Sequence, residues 1–271
     1  MNIDFYKYQS LGNDFILIDC LDDVNCNLQP QQVQRLCDRH FGIGADGVLI
    51  ITQEPNEPIK ALILNADGSN GDVCLNGLRC VADYLVTHKN YPANSTINMG
   101  NKLFSCNANQ QLTIIVPNVN YLGEQSITVN KKLLTGHVVN VGNPHFVILQ
   151  KIAQSWLQTN GSTIEQHHIF PHKTNVEIVY QEHEIYNLLI HERGCGMTLA
   201  CGTGAAAVMQ TLYQLDKVAK NEEILLQMPG GSLKSYLDDD NNVIQVAAAA
   251  CVYRGVIDEK GVITASLSAT Y

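Results

Sequence analysis

The chain repeats itself once, and the repeat constrains its fold more than any single element does. Gly12-Asn13-Asp14-Phe15-Ile16 returns as Gly142-Asn143-Pro144-His145-Phe146, with Asn13 and Asn143 130 positions apart. Cys74-Leu75-Asn76-Gly77 returns as Cys201-Gly202-Thr203-Gly204, with the cysteines 127 positions apart. The lead-in also agrees, because Asn65 in Leu62-Ile63-Leu64-Asn65 and Glu192 in Leu189-Ile190-His191-Glu192 each stand nine positions before a cysteine. Two matches in the same order at nearly one offset predict two like domains built from equivalent elements. The expected domains are 1–117, joined by the C-terminal segment 250–271, and 118–249, meeting near 117–120 with the active site in the cleft between them.

The runs inside each half give the fold class. Segments 15–18, 47–51, 61–64, 112–116, 145–149, 176–180, 223–226 and 243–246 are short, rich in β-branched residues and bounded by Gly, Asn, Asp or Pro, as strands are. Helical spacing is confined to 30–38, 77–89 and 204–214. The prediction is an α+β fold of two pseudo-symmetric α/β domains.

Composition narrows the function classes. At 271 residues, with 45% hydrophobic and 16% charged residues, the chain has the composition of a soluble globular protein. A formal charge of -9 with no Lys/Arg cluster argues against nucleic acid as a partner. No apolar run reaches the roughly 18 residues of a membrane span, and the first residues lack a basic stretch followed by an apolar core, so no membrane partner and a cytoplasmic location are expected. The nine cysteines form no Cys-x-x-Cys pair and no histidine stands at ligand spacing from them, so reduced thiols and no metal site are expected.

Seven of those cysteines read as small buried hydrophobes. Cys74 and Cys201 differ, because each lies in a polar, glycine-rich turn that opens a helical run, where a thiolate is favoured. A thiolate on one side of a carbon can accept its proton while a thiol on the other side supplies one, which inverts a stereocentre. The backbone N–H groups of Leu75 and Asn76, and of Gly202 and Thr203, would grip a carboxylate beside that carbon. The same grip stabilises enolate-like charge as it develops.

Other residues carry competing readings. Asn13, Asn65, Asn143 and Asn175 stand at or near strand ends and serve either as turn formers or as groups projecting toward a substrate. Glu192-Arg193 follows an apolar run and can bind a zwitterionic amino acid, with Arg193 taking the carboxylate, or can form a surface ion pair. His145 either tunes a thiol or is a satisfied histidine. Gly202-Thr203-Gly204-Ala205-Ala206-Ala207 satisfies a dinucleotide fingerprint in form, but the acids Glu222 and Glu223 precede the next strand instead of ending it.

Taken together, Gly12–Phe15, Gly42-Ile43-Gly44-Ala45-Asp46-Gly47, Asn65 through Ser69 leading to Cys74, Gly142–Phe146, Thr174-Asn175-Val176-Glu177 and Glu192–Gly204 resemble the diaminopimelate epimerase family, in the family's order. The resemblance implies a cofactor-independent isomerase interconverting LL- and meso-2,6-diaminoheptanedioate, for lysine and peptidoglycan precursor synthesis, that works as a homodimer. It implies Cys74 and Cys201 as proton donor and acceptor, with His145 and Glu192 adjusting them. It implies Asn13, Asn65, Leu75, Asn76, Asn143, Asn175, Glu192, Arg193, Gly202 and Thr203 as substrate-binding positions and Tyr253 as a dimer contact. The family usually has Gly-Asn-Gly after the first cysteine, where this chain has Leu75-Asn76-Gly77, and an acid and a small residue where this chain has Asn70-Gly71. That leaves a racemase of the same fold acting on another amino acid as the alternative, and a non-catalytic thiol redox sensor as a more distant one. Residues from Val256 onward are expected to extend beyond the family's usual end.

Overall fold

The computed structural model describes residues 3–21, 27–109, 111–257 and 263–266, the last four as backbone only. The chain divides into two compact units, Met1–Ile114 with Ala247–Tyr271, and Ile115–Val246.

The first unit begins with the hairpin β1 (Ile3–Ser10) and β2 (Asn13–Asp19). Leu11 and Gly12 make its turn, both with positive φ (54° and 77°), the left-handed geometry a two-residue hairpin turn needs. Helix α1 (Pro30–Cys37) carries β2 over to its parallel neighbour β3 (Gly47–Thr52), which pairs antiparallel with β4 (Ile59–Asn65). Helix α2 (Leu75–Lys89) then leads to β5 (Asn94–Met99), parallel to β4, and β6 (Lys102–Asn107) closes a hairpin on β5. Strand β7 (Thr113–Val116) carries the chain across the boundary, with Ile114 the last residue of this half.

The second unit repeats the plan. Strand β8 (Asn120–Val129) pairs antiparallel with β9 (Lys132–Asn140), and β9 with β10 (Pro144–Ile148). Helix α3 (Gln154–Glu165) connects β10 to its parallel neighbour β11 (Asn175–Glu182), which pairs antiparallel with β12 (Ile185–Glu192). A short β13 (Gly196–Thr198) folds back on β12 before helix α4 (Gly202–Gln214) leads to β14 (Ile224–Met228), parallel to β12. Strands β15 (Gly231–Leu237) and β16 (Val243–Val246) finish the antiparallel edge. The chain then returns to the first unit, where β17 (Ala250–Ile257) pairs with β1 and β18 (Ile263–Ser266) with β17.

From β1 and from β9 onward the pairings follow one sequence: antiparallel, parallel through a helix, antiparallel, parallel through a helix, antiparallel. Strand β17 flanks β1 as β8 flanks β9, each antiparallel and each with one register shift. The repeat read from two short motifs therefore extends through the whole topology.

In each unit the sheet curls about its second helix. Helix α2 touches β1 through β6 and β17, and is buried from Leu75 to Ala82 and again at Tyr84 and Leu85. Helix α4 touches β8, β9, β10, β11, β15 and β16, and its run Ala205-Ala206-Ala207 lets the strands approach closely. The first helices cover the outer face. Val33 and Leu36 of α1 pack with Ile16, Ile18, Val48 and Ile50, and Leu157 and Ile164 of α3 pack with Phe146, Ile148, Val176 and Ile178.

Helices α2 and α4 start two residues earlier than spacing predicted, because the turn residues after each cysteine are already helical. Helix α3 carries no sequence signal. Gln154–Glu165 contains Asn160, Gly161, Ser162 and Thr163, weak helix formers, and Gly161 is needed because a Cβ there would lie 2.3 Å from His191 Nδ1. The expectation that every thiol is reduced is corrected at Cys20, which is disulfide-bonded. Pairing depends on two cysteines coming within reach rather than on chain size. Cys26 lies outside the described residues, and the seven remaining cysteines are thiols. Among the described residues no helix is long and apolar enough to cross a membrane.

Candidate active site

Both repeated cysteines are helix N-caps with nearly the same backbone: φ −126°, ψ 106° at Cys74 and φ −129°, ψ 112° at Cys201. The extended conformation turns each sulfur back over the first helical turn. The Gly77 N–H donates to Cys74 Sγ at 3.4 Å, and the Gly204 N–H to Cys201 Sγ at 3.3 Å. The cysteine takes the place of the usual Ser, Thr, Asp or Asn cap, and its sulfur is the capping atom. The amides of residues 75 and 76, and of 202 and 203, lie at the helix ends where intrahelical acceptors are lacking.

Around Cys74 the first unit gathers amide and charged side chains. The β1–β2 turn delivers Asn13, whose Oδ1 lies 3.6 Å from the sulfur and accepts from Asn76 Nδ2 at 3.3 Å. Asn13 Nδ2 donates to Asp46 Oδ2 at 2.7 Å. Asp46 and Asp14 share Arg39, at 2.7 Å each, and Asp14 also holds Lys7 at 2.6 Å. Burial works against ionisation of Asp14, but the Arg39 and Lys7 hydrogen bonds outweigh it and bring its carboxyl down to about 2. One turn into α2, the fully buried Arg79 donates to Asn76 Oδ1 at 2.7 Å. Burial lowers Arg79 to about 10, and the nearby Cys74 favours its charged form.

Around Cys201 the second unit gathers a longer chain. Cys201 Sγ lies 3.3 Å from Thr203 Oγ1, which accepts from Asn143 Nδ2 at 3.4 Å. Asn143 Oδ1 is 3.0 Å from His145 Nε2, and His145 Nδ1 is 2.7 Å from Glu177 Oε1. His145 and Glu177 are wholly buried. Burial pushes the Cys201 thiol well above its usual value, and the carboxyls of Glu192 and Glu177 push it further. Burial also raises Glu192, opposed in part by a hydrogen bond from Cys201. Cys201 is therefore a thiol at neutral pH.

The remaining expected residues divide between the two units. Asn65 ends β4, and its side chain donates to Ser69 Oγ at 3.0 Å, closing the turn that leads toward Cys74. Asn175 is buried and both its polar atoms meet backbone, donating to Pro144 O at 2.8 Å and accepting from Arg193 N–H at 2.9 Å. Half-buried Arg193 donates to His172 O at 3.2 Å. Leu75 is 1% exposed, so its side chain lies in the core and only its amide faces the helix end. Buried Thr203 joins the Cys201 chain, and Gln245 donates to Gly202 O at 2.8 Å. Tyr253 packs edge-on against Phe5, with ring centres 6.0 Å apart, and donates to Ile43 O at 3.4 Å.

Six residues of these clusters carry no sequence-derived assignment: Lys7, Asp14, Arg39, Asp46, Arg79 and Glu177. Asp46 and Glu177 stand inside motifs quoted above. Arg79 had one available signal, a charged residue at Cys+5 in an apolar helical run, where the second copy has Ala206.

A family model described as diaminopimelate epimerase matches residues 5–119 and 137–262. The match runs past Val256, so the segment expected to lie beyond the family's end is partly within it. Diaminopimelate epimerase of Microcystis aeruginosa is 34% identical, covering 94% of this chain and 99% of that one. That of Elusimicrobium minutum is also 34% identical, covering 95% and 100%. Among solved structures, a hydroxyproline epimerase from Agrobacterium vitis superposes with a TM-score of 0.74 at 10% identity, covering 96% of this chain and 94% of its own. A PhzF-family phenazine biosynthesis protein from Bacillus anthracis follows at 0.65 and 11%, covering 95% and 99%. At these identities the two structures share the fold. The chain, with a cysteine capping the central helix of each of its two repeated units, belongs to the diaminopimelate epimerase family of isomerases.

Proposed function

We propose that this enzyme interconverts LL- and meso-2,6-diaminoheptanedioate by moving the α-proton between Cys74 and Cys201. The observation that carries the reading is the pair of cysteine N-caps, alike in backbone angles and in their Gly N–H donors. In one direction the Cys74 thiolate takes the α-proton and the Cys201 thiol delivers a proton to the opposite face of the same carbon. The reverse direction exchanges the two roles. Protons and charge balance within the pair, and no cofactor is required.

The helix-end amides at 75–76 and 202–203 hold the α-carboxylate and stabilise the charge that gathers on it as the proton leaves. Arg193 and Glu192 bind charged ends of the substrate. Asn13 and Asn143 sit beside the sulfurs, Asn65 shapes the turn before Cys74, and Asn175 fixes the backbone at Pro144 and Arg193. The buried Leu75 side chain supports the family's own substrate over a different one, because it takes no room at the helix end. The same reading carries a homodimer with Tyr253 at its contact, and a cytoplasmic location.

The test is turnover of Cys74→Ala and Cys201→Ala with LL-2,6-diaminoheptanedioate, beside a panel of other amino acids. Both variants are expected to lose at least 1,000-fold in kcat. Near-normal turnover in either removes the two-thiol reading, and faster turnover of another amino acid by the native enzyme replaces the substrate.

A further inference from the structure

Glu177 is a wholly buried carboxyl group with one oxygen on His145 Nδ1 and the other, Oε2, without a hydrogen-bond partner among the described residues. An orphaned buried carboxylate oxygen is costly, and apolar replacement of a buried ion pair is often neutral or stabilising. Stability alone gives no reason to keep Glu177. The first unit has no such pair, since Phe15 stands at the position of His145. The arrangement therefore belongs to one thiol and not to the shared fold.

The direction of the hydrogen bonds shows what it does. Asn143 Oδ1 can only accept, so His145 Nε2, which faces it at 3.0 Å, carries a hydrogen; His145 Nδ1 lies 2.7 Å from Glu177 Oε1, and Asn143 Nδ2 donates to Thr203 Oγ1 at 3.4 Å. Thr203 Oγ1 accepts from Asn143, and with the Cys201 hydrogen directed to Glu192 the Thr203 O–H is the hydrogen available for Cys201 Sγ, 3.3 Å away, beside the Gly204 N–H. Every donor in the chain runs toward the sulfur. If His145 Nε2 loses its proton, each partner must reverse, and Cys201 becomes the donor at the other end. Around Cys74 the polarity is the opposite: Asn13 presents Oδ1, an acceptor, to that sulfur.

We propose that Glu177 is a positioning residue for proton transfer at Cys201: by engaging His145 Nδ1 it keeps the ring oriented with Nε2–H on Asn143, and so holds the Asn143 amide and the Thr203 hydroxyl as a donor chain that receives the thiolate formed there. The inference rests on the two-thiol reading above. Cys201 gives its proton to the substrate carbon, the negative charge left on sulfur is met by the Thr203 O–H and Gly204 N–H, and the return proton restores the thiol. No electrons are exchanged with Glu177, and the chain makes no covalent bond.

The charged and titratable groups facing Cys201 are Glu192 on β12, Glu177 on β11 and His145 on β10. Two effects of Glu177 thus oppose one another at the sulfur. As a like charge it hinders ionisation of Cys201, whereas as the anchor of the donor chain it assists. The donor chain reaches the sulfur itself, at 3.3 Å, which makes the anchoring effect the larger.

The test is the pH dependence of Cys201 alkylation by iodoacetamide, without substrate, read peptide by peptide by mass spectrometry in the native enzyme and in Glu177→Leu. The pH of half-maximal rate is expected to rise by at least one unit for Cys201 and to stay within 0.2 unit for Cys74, while kcat falls at least tenfold with KM within twofold. A fall or no change in the Cys201 midpoint overturns the proposal, since removal of a repulsive charge alone predicts a fall. Thr203→Val cuts the chain at its other end and is expected to give the same rise, so the outcome does not hang on one variant folding. Labelling needs no turnover: activity in Cys201→Ala would remove the two-thiol reading, whereas an unmoved midpoint would remove only the role of Glu177.

Discussion

Gly77 and Gly204 occupy the same place, the third residue of α2 and of α4, yet they should answer very differently to alanine. A Cβ on Gly204 would stand 2.6 Å from Glu177 Oε1 and 3.2 Å from its Cδ and Cγ, whereas one on Gly77 would meet Leu49 Cδ2 at 3.0 Å. Ordinary contact begins near 3.4 Å, so the neighbour must yield by 3.4 − 2.6 = 0.8 Å at the second site and 3.4 − 3.0 = 0.4 Å at the first. The methyl tip of Leu49 can move that far by a small side-chain rotation. The Glu177 carboxylate cannot, because it is wholly buried and held at 2.7 Å by His145. Displacing one member of a buried ion pair costs about 3 kcal/mol, and Gly→Ala in a helix returns about 1 kcal/mol. Gly204→Ala should therefore destabilise by about 2 kcal/mol, while Gly77→Ala should fall within about 1 kcal/mol of the native protein. Thermal unfolding followed by circular dichroism should show a fall of about 4 °C for Gly204→Ala and little change for Gly77→Ala. Equal melting of the two variants would refute the reasoning, because it would mean that Glu177 is free to move.

Other consequences are equally direct. Leu75→Gly should cost about 3–5 kcal/mol in urea unfolding, by cavity formation and lost helix propensity, yet leave KM within twofold, because the Leu75 side chain is buried away from the helix end; a large change in KM would place that side chain against the substrate. Asp14 has its folded carboxyl held at about 2 against an ordinary 3.8, so its contribution is complete above pH 4 and is lost as pH falls toward 2. Allowing for screening, about 1–2 kcal/mol should disappear across that window, and Asp14→Asn should remove the dependence. Gly161→Ala should destabilise by at least about 2 kcal/mol in the same assay, since a Cβ would lie 2.3 Å from the buried His191 ring; native stability would mean that α3 shifts freely on β12.

The sequence exposed the plan of the fold because the plan was written twice. Strands such as 47–51 are buried on both faces and show as unbroken apolar runs, so they were legible one by one. Strands such as β8, where Asn120, Gly123, Glu124, Gln125 and Ser126 leave most positions in solvent, and helix α3, built of weak formers around Gly161, have no local signature. Their existence follows from pairing and packing partners far along the chain. At the site, the cysteines and asparagines were legible because turn chemistry and the duplication marked them. Arg79 and Glu177 were not, since a charge on an apolar helix or strand acquires meaning only from what the fold buries beside it: Asn76 for one, His145 for the other. The motif showed that Asn175 mattered, but not that its amide is engaged by the backbone at Pro144 and Arg193.

The central claim, that one thiol removes the α-proton while another supplies its replacement, is tested most directly by a single turnover of LL-2,6-diaminoheptanedioate in deuterium oxide. The account predicts deuterium at the inverted α-carbon of essentially every product molecule and none in the unreacted substrate. Product that keeps the substrate's own proton would mean that a single base works on both faces, and would contradict it.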